Sequence, residues 1–179
     1  MHGSFFGRFF RGNQPKPMYK TVDVYVGLRG KILSLHSESP KSNDNSKALA
    51  FLMEMGLPDG VVTLVSFGDG GASMYFSTGG GILGAGELPH PDARAASLNL
   101  VGAVPTFLSL MRETNETPLP QPEGTRFYAV MPTGLFSAEV KTDDLKNKKH
   151  QLWPLFYLGD KLITQIRLID EAMSKPKQP

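Results

Sequence analysis

The sequence contains no cysteine. Disulfides, thiolate nucleophiles, iron–sulfur clusters and cysteine zinc sites are therefore excluded. No run of ~18 apolar residues occurs, the length a membrane-spanning helix needs. There is no Gly-Lys-Ser or Gly-Lys-Thr, hence no Walker A loop, and no G-x-S-x-G, hence no nucleophile elbow. The opening residues, MHGSFFGRFFRG, have neither a long apolar stretch nor a cleavage site and do not read as a signal peptide. A cytoplasmic setting is expected.

What is present is ordinary globular composition, 40% hydrophobic and 20% charged over 179 residues. This fits one domain with an arm. The net charge is +2, unevenly spread. Residues 1–41 carry seven basic and two acidic groups, residues 42–140 four and ten, and residues 141–179 eight and five. A nucleic-acid binder concentrates basic charge on one face. Here the middle of the chain is acidic, so no nucleic-acid partner is expected.

Residues 1–18 read as an apolar-basic arm, residues 19–173 as a single domain, and residues 174–179 as a disordered tail. In the arm, Phe5, Phe6, Phe9 and Phe10 recur at helical spacing, with Arg8 and Arg11 turned away from them. Gly12, Asn13, Pro15 and Pro17 end that pattern. Residues 21–28 alternate, with Val22, Val24, Val26 and Leu28 opposite Thr21, Asp23 and Tyr25, which favours a strand. A helix over 21–35 is the rival, because Val22, Val26, Arg29 and Leu33 also share a face. Residues 46–55 fit a short capped helix or a buried strand nearly equally well.

The spacing predicts two β-hairpins, 61–78 around Asp69-Gly70 and 126–141 around Pro132-Thr133-Gly134. It also predicts two helices. One spans 92–112, with Ala93, Ala96, Leu100, Val104, Phe107 and Met111 on one face and Pro105 dividing or kinking it. The other spans 153–173, with a stripe of Leu155, Leu158, Leu162, Ile166, Ile169 and Met173. Residues 112–125 read as a proline-rich connection without structure of its own. The expected fold is therefore α+β, an antiparallel sheet built from two hairpins with flanking helices. The element order over about residues 46–173 resembles the profilin-like group, including roadblock-type light chains. In that group a central sheet is flanked by helices, and the domains often dimerise. No functional residue is carried over from the resemblance.

The chemistry-bearing candidates centre on residues 79–92. Gly79, Gly81 and Gly84 match G-x-G-x-x-G, with Gly80 and Gly86 beside them. A dinucleotide site needs the helix to start at the glycines. Here Pro89 and Pro91 delay it, and no acidic residue follows at the ribose distance. Glu87 and His90, with Asp92, could form a ligand or acid–base cluster, although acidic groups at a helix start ordinarily complement its dipole. Ser73 and Ser77 alternate with apolar residues and read as sheet hydroxyls. No catalytic set, metal or cofactor is expected. Surplus apolar surface in the arm (Phe5, Phe6, Phe9 and Phe10) and on the last helix, where Ile163 lies off the stripe, points to protein contacts or self-association. Contact of the arm with a membrane is a weaker expectation, since a short segment with two arginines binds lipid only marginally. The leading expectation is a non-enzymatic regulatory or scaffolding domain. The alternative is a small-ligand or nucleotide-binding protein or enzyme using loop 79–92.

Overall fold

A computed structural model describes residues 18–38, 43–87 and 90–174. Its centre is the segment left between helix and strand. Residues Ala50–Leu57 form strand β1, flanked by β2, Gly60–Phe67, and by β6, Gly124–Met131. The apolar run AFLMEM has no period because both of its faces are covered, which favours a strand buried on both sides. Pro58-Asp59 joins β1 to β2 by a two-residue turn, with Leu57 opposite Gly60. Proline presets one φ angle there and aspartate suits the next position.

Strands β3, Ala72–Phe76, β4, Gly81–Ile82, β5, Arg112–Glu113, and β7, Gly134–Lys141, complete the sheet in the order β4-β3-β2-β1-β6-β7-β5. The α+β class with an antiparallel sheet is as expected, and both predicted hairpins are present as β2–β3 and β6–β7. The sheet is larger than two hairpins, because β1 bridges them. Gly70 at φ +91° and an Asp69 Oδ1 bond from the Gly71 N–H, 2.8 Å, shape the first turn.

Helices α3, Pro91–Phe107, and α5, Trp153–Ser174, cover one face. Beneath them Phe51 stacks on Phe127 at 5.8 Å between ring centres. Full burial of each such side chain stabilises by roughly 1.5–3 kcal/mol. Ser66 Oγ donates to the Ser97 carbonyl at 2.8 Å, and Ser97 Oγ donates to the Gly71 carbonyl at 2.8 Å, which pins α3 to the β2–β3 turn. Helix α3 stops five residues before the predicted 112. Pro105 supplies no N–H to the preceding turn, and the chain tightens into a 3-10 turn at Leu108–Leu110. On α5, Leu155, Leu162, Ile166 and Ile169 of the stripe are buried, Leu158 is half-buried and Met173 is exposed, and Gly159 beside Leu158 is buried as well. Between β7 and α5 the polar stretch carries a short helix α4, Thr142–Lys146, which buries Leu145.

The other face corrects the strand reading of 21–28. Those residues enter helix α1, Asp23–Leu33, followed by a single turn α2, Leu35–Glu38. Helix α1 buries Tyr25, Arg29 and Leu33, one turn apart, and exposes Val24 and Val26. Alternating valines predict a strand when they form the buried face, whereas Val24 and Val26 of α1 are exposed. Its buried stripe instead starts from a tyrosine and an arginine. Residues 112–125 also depart from expectation. Arg112–Glu113 pairs with β7, and the carbonyls of Thr117 and Pro118 are held under α1.

Candidate functional site

On the α1 face, five side chains stand directly opposite one another across neighbouring strands. They are Tyr75 on β3, Thr63 on β2, Glu54 on β1, Arg126 on β6 and Glu139 on β7. Arg29 descends from α1 onto this row. Its Nε donates to Glu54 Oε1 at 2.6 Å and its Nη2 to Oε2 at 2.9 Å, while Nη1 donates to the Thr117 carbonyl at 2.9 Å. Thr63 Oγ1 donates to Glu54 Oε1 at 3.3 Å, so the Tyr25 hydroxyl, 3.0 Å from Thr63 Oγ1, is the donor in that pair. Tyr128 Oη donates to the Pro118 carbonyl at 2.6 Å, and the Arg29 guanidinium lies 5.3 Å from its ring centre. Arg126 and Glu139 form an ion pair at the far end of the row, where Glu139 Oε1 also accepts the Gln121 N–H at 2.7 Å.

At the centre of the row Arg29 and Glu54 satisfy each other. Burial lowers the tendency of Arg29 to stay charged, but the hydrogen bond and charge of Glu54 outweigh it and raise its pKa. Burial, reinforced by the Glu54 charge, pushes Tyr25 and Tyr75 above the ordinary tyrosine value, and burial also raises Tyr128. These phenols are neutral at physiological pH. The Glu54 carboxylate spends its oxygens on Arg29 and Thr63.

At the Arg126–Glu139 end a polar cleft of about 510 Å³ opens, and a smaller, apolar one lies at the β3–β4 end of the row. A cleft of about 220 Å³ is lined by Val24, Tyr25 and Leu28 of α1, Tyr75 and Phe76 of β3, the backbone of Gly79, Gly80 and Gly81, and Leu83. The rings of Tyr25 and Tyr75 meet edge to face at 5.6 Å. The buried Tyr75 hydroxyl has no hydrogen-bond partner among the described residues. Val24 is 64% exposed, Leu83 59% and Phe76 38%. The Val22 N–H donates to the Ser77 carbonyl at 2.9 Å and locks the start of α1 beside the glycine turn. The three glycines all have positive φ, +104°, +84° and +143°. They reverse the chain between β3 and β4 and present a wall without side chains.

The structure therefore divides the glycine segment. Gly79, Gly80 and Gly81 line the cleft, but Gly84, Gly86, Glu87 and His90 do not. At Gly86 a Cβ would meet the Gly70 carbonyl oxygen at 2.0 Å, so this glycine serves close packing. The Gly84 N–H bonds Ser73 Oγ at 3.3 Å, and Glu87 closes a turn through its N–H to the Gly84 carbonyl. His90 stands at the N-terminal boundary of α3. Among the described residues no group of three or more His, Asp or Glu is placed to hold a metal ion. Ser77 Oγ accepts the Val61 N–H at 2.9 Å, in keeping with a sheet hydroxyl. Ile163 is half-buried against the α3–α5 core. Phe5, Phe6, Phe9 and Phe10 lie outside the described residues. Sequence reasoning missed Arg29, Glu54 and Tyr75; the one available signal was a lone glutamate inside an apolar run.

Compared with protein-family models, curated proteins and solved structures, the chain has no match. The profilin-like resemblance thus has no matching structure behind it and brings no function to this chain. No helix among the described residues is long and apolar enough to cross a membrane.

Proposed function

We propose that this chain is a non-enzymatic regulatory or scaffolding domain that works through protein–protein contacts. The cleft between α1 and the β3–β4 edge is its docking surface. The observation that carries the reading is the concave grouping of exposed Val24, Phe76 and Leu83 around a floor of tyrosine rings. Solvent-exposed apolar side chains scattered singly need no explanation, but gathered around a cleft they mark a binding site. The volume of about 220 Å³ is below the range of drug-sized ligand pockets and suits one or two apolar anchor side chains of a peptide. A cytoplasmic setting belongs to the same reading.

The alternative, a small ligand or nucleotide at loop 79–92, draws on the same three glycines. An apolar lining gives phosphate no cationic partner, so the protein contact is favoured. The test is selection of a displayed random-peptide library on the immobilised full chain. Selected peptides should share aromatic or branched apolar anchors, and should lose binding to Leu83→Glu. Failure to enrich any sequence, or equal binding to Leu83→Glu, would overturn the proposal.

A further inference from the structure

We infer that the free edge of β7 takes up an extended peptide as an added strand. This is a second docking site, separate from the apolar cleft and different from it in chemistry. Strand β5 covers only part of that edge, with Arg112 opposite Ser137 and Glu113 opposite Phe136. The Thr114 N–H donates to the Leu135 carbonyl at 2.9 Å, so the odd-numbered residues of β7 turn their backbone groups toward β5. Just past the strand, the Thr142 N–H donates to the Glu123 carbonyl, which places the even-numbered ones on the β6 side. Alternation therefore points the N–H and C=O of Glu139 and the N–H of Lys141 away from β6. Before Arg112 the chain leaves the strand line through the 3-10 turn at Leu108–Leu110. Among the described residues no strand pairs with residues 138–141 on that side.

The polar cleft of about 510 Å³ lies at this gap. Its lining takes Ser137 and Glu139 from one face of β7 and Ala138 and Val140 from the other. An opening bounded by both faces of one strand lies at its edge. The lining carries both signs, Arg112 and Arg126 against Glu113, Glu116 and Glu139, so net charge does not select the ligand. Main-chain hydrogen bonds remain, and they select extended polypeptide. Residues 138–141 span ~13 Å, room for a strand of about four residues. The buried Arg126 Nε has no hydrogen-bond partner among the described residues. A side chain opposite Glu139 on the added strand shares the face of Arg126, so glutamine or serine there supplies an acceptor. A second copy of the chain fits the gap less well. In a two-fold antiparallel contact, β5 leaves only residues 139–141 of each chain free to pair.

Amide hydrogen exchange on the free full chain is the first test. The Glu139 amide should exchange about tenfold faster than those of Ala138 and Val140, which bond β6. A displayed random-peptide library is then selected on the full chain carrying Leu83→Glu. That substitution disables the apolar cleft, so the outcome is independent of the docking reading above. Selected peptides should slow the Glu139 amide about tenfold, and N-methylation of the peptide should weaken binding only at alternate residues. Lys141→Pro should weaken them about tenfold, because it deletes an edge-facing N–H where φ is −59°, an angle that proline adopts without strain. Three results would each overturn the inference: a Glu139 amide as protected as its neighbours in the free chain, no enriched peptide, or N-methyl effects without alternation. Protection of Glu139 that rises with protein concentration, with no peptide added, would assign the edge to a second copy and overturn it as well. If Lys141→Pro leaves both the melt and the peptide affinity unchanged, the added strand is refuted; if that variant fails to fold, the exchange and N-methyl measurements decide.

Discussion

Arg29 and Glu54 meet at two points, Nε on Oε1 and Nη2 on Oε2, with the carboxylate wholly withdrawn from solvent. The pair fixes which face of α1 turns inward. With Arg29 drawn down onto β1, Tyr25 and Leu33 follow at one-turn spacing, and Val24 is left facing out beside the cleft. A buried pair of this kind adds little net stability over an apolar replacement, but loss of one member strands a charge.

Arg29→Met should therefore cost about 3 kcal/mol or more, because Glu54 is left unpaired and the Thr117 and Pro118 carbonyls lose donors. The double variant Arg29→Met with Glu54→Leu should recover much of that loss. Urea denaturation of the single and double variants checks both statements. A single variant as stable as the parent would contradict the stranded-charge account.

Alkaline pH should destabilise the fold through its tyrosines. Burial raises Tyr25, Tyr75 and Tyr128 in the folded chain. The unfolded chain ionises near pH ~10. Below that pH both states keep the proton and the stabilisation is complete. Above it the unfolded state binds fewer protons, so stability falls with rising pH until the folded phenols ionise too. Ultraviolet titration of the phenolate should show fewer than the five tyrosines ionising before the unfolding transition. Five equivalents released from a still-folded chain would refute this.

The glycines of 79–86 should not be equivalent. A Cβ at Gly81 would meet the Met74 carbonyl oxygen at 2.4 Å, and φ there is +143°. Gly81→Ala should therefore cost about 3 kcal/mol or more. Gly86→Ala should be comparably damaging, for steric reasons alone. Gly80 has open space beyond its Cα, so Gly80→Ala should cost only the backbone strain, about 1 kcal/mol. At Gly84 the neighbour is the movable Glu87 side chain, and a similarly small loss is expected. Thermal melts rank the four; equal losses at Gly80 and Gly81 would count against the geometry.

Ile163→Glu tests the contact role expected for that side chain against its observed packing. Ile163 is half-buried against the α3–α5 core, so a carboxylate there should lower stability by about 2 kcal/mol. Tyr157 and Leu168 are the more exposed apolar positions on α5, at 49% and 54%. Melting curves combined with sedimentation equilibrium decide the question. An unchanged melt together with loss of self-association would return Ile163 to a subunit contact.

Local chemistry was enough to read the two hairpins and the last helix from the sequence. Asp69-Gly70 supplies its own turn, and the stripe from Leu155 to Ile169 repeats at helical spacing whatever lies opposite. The start of α3 at Pro91 was legible for the same reason. The three glycines at 79–81 were visible as a break in the chain, but not as the wall of a cleft. Tertiary structure decided the rest. Strand β1 carries no period because helices cover both of its faces, so its six apolar residues read equally well as helix. Helix α1 hides behind its valines, since two of the three residues that it buries, Tyr25 and Arg29, carry polar groups that find their partners only after folding. Arg29 meets Glu54 across 25 residues of sequence, and the cleft joins α1 to β3 and β4. The free energy of burying a guanidinium depends on a carboxylate that no local window contains, so only the folded chain could set which side of that helix faces inward.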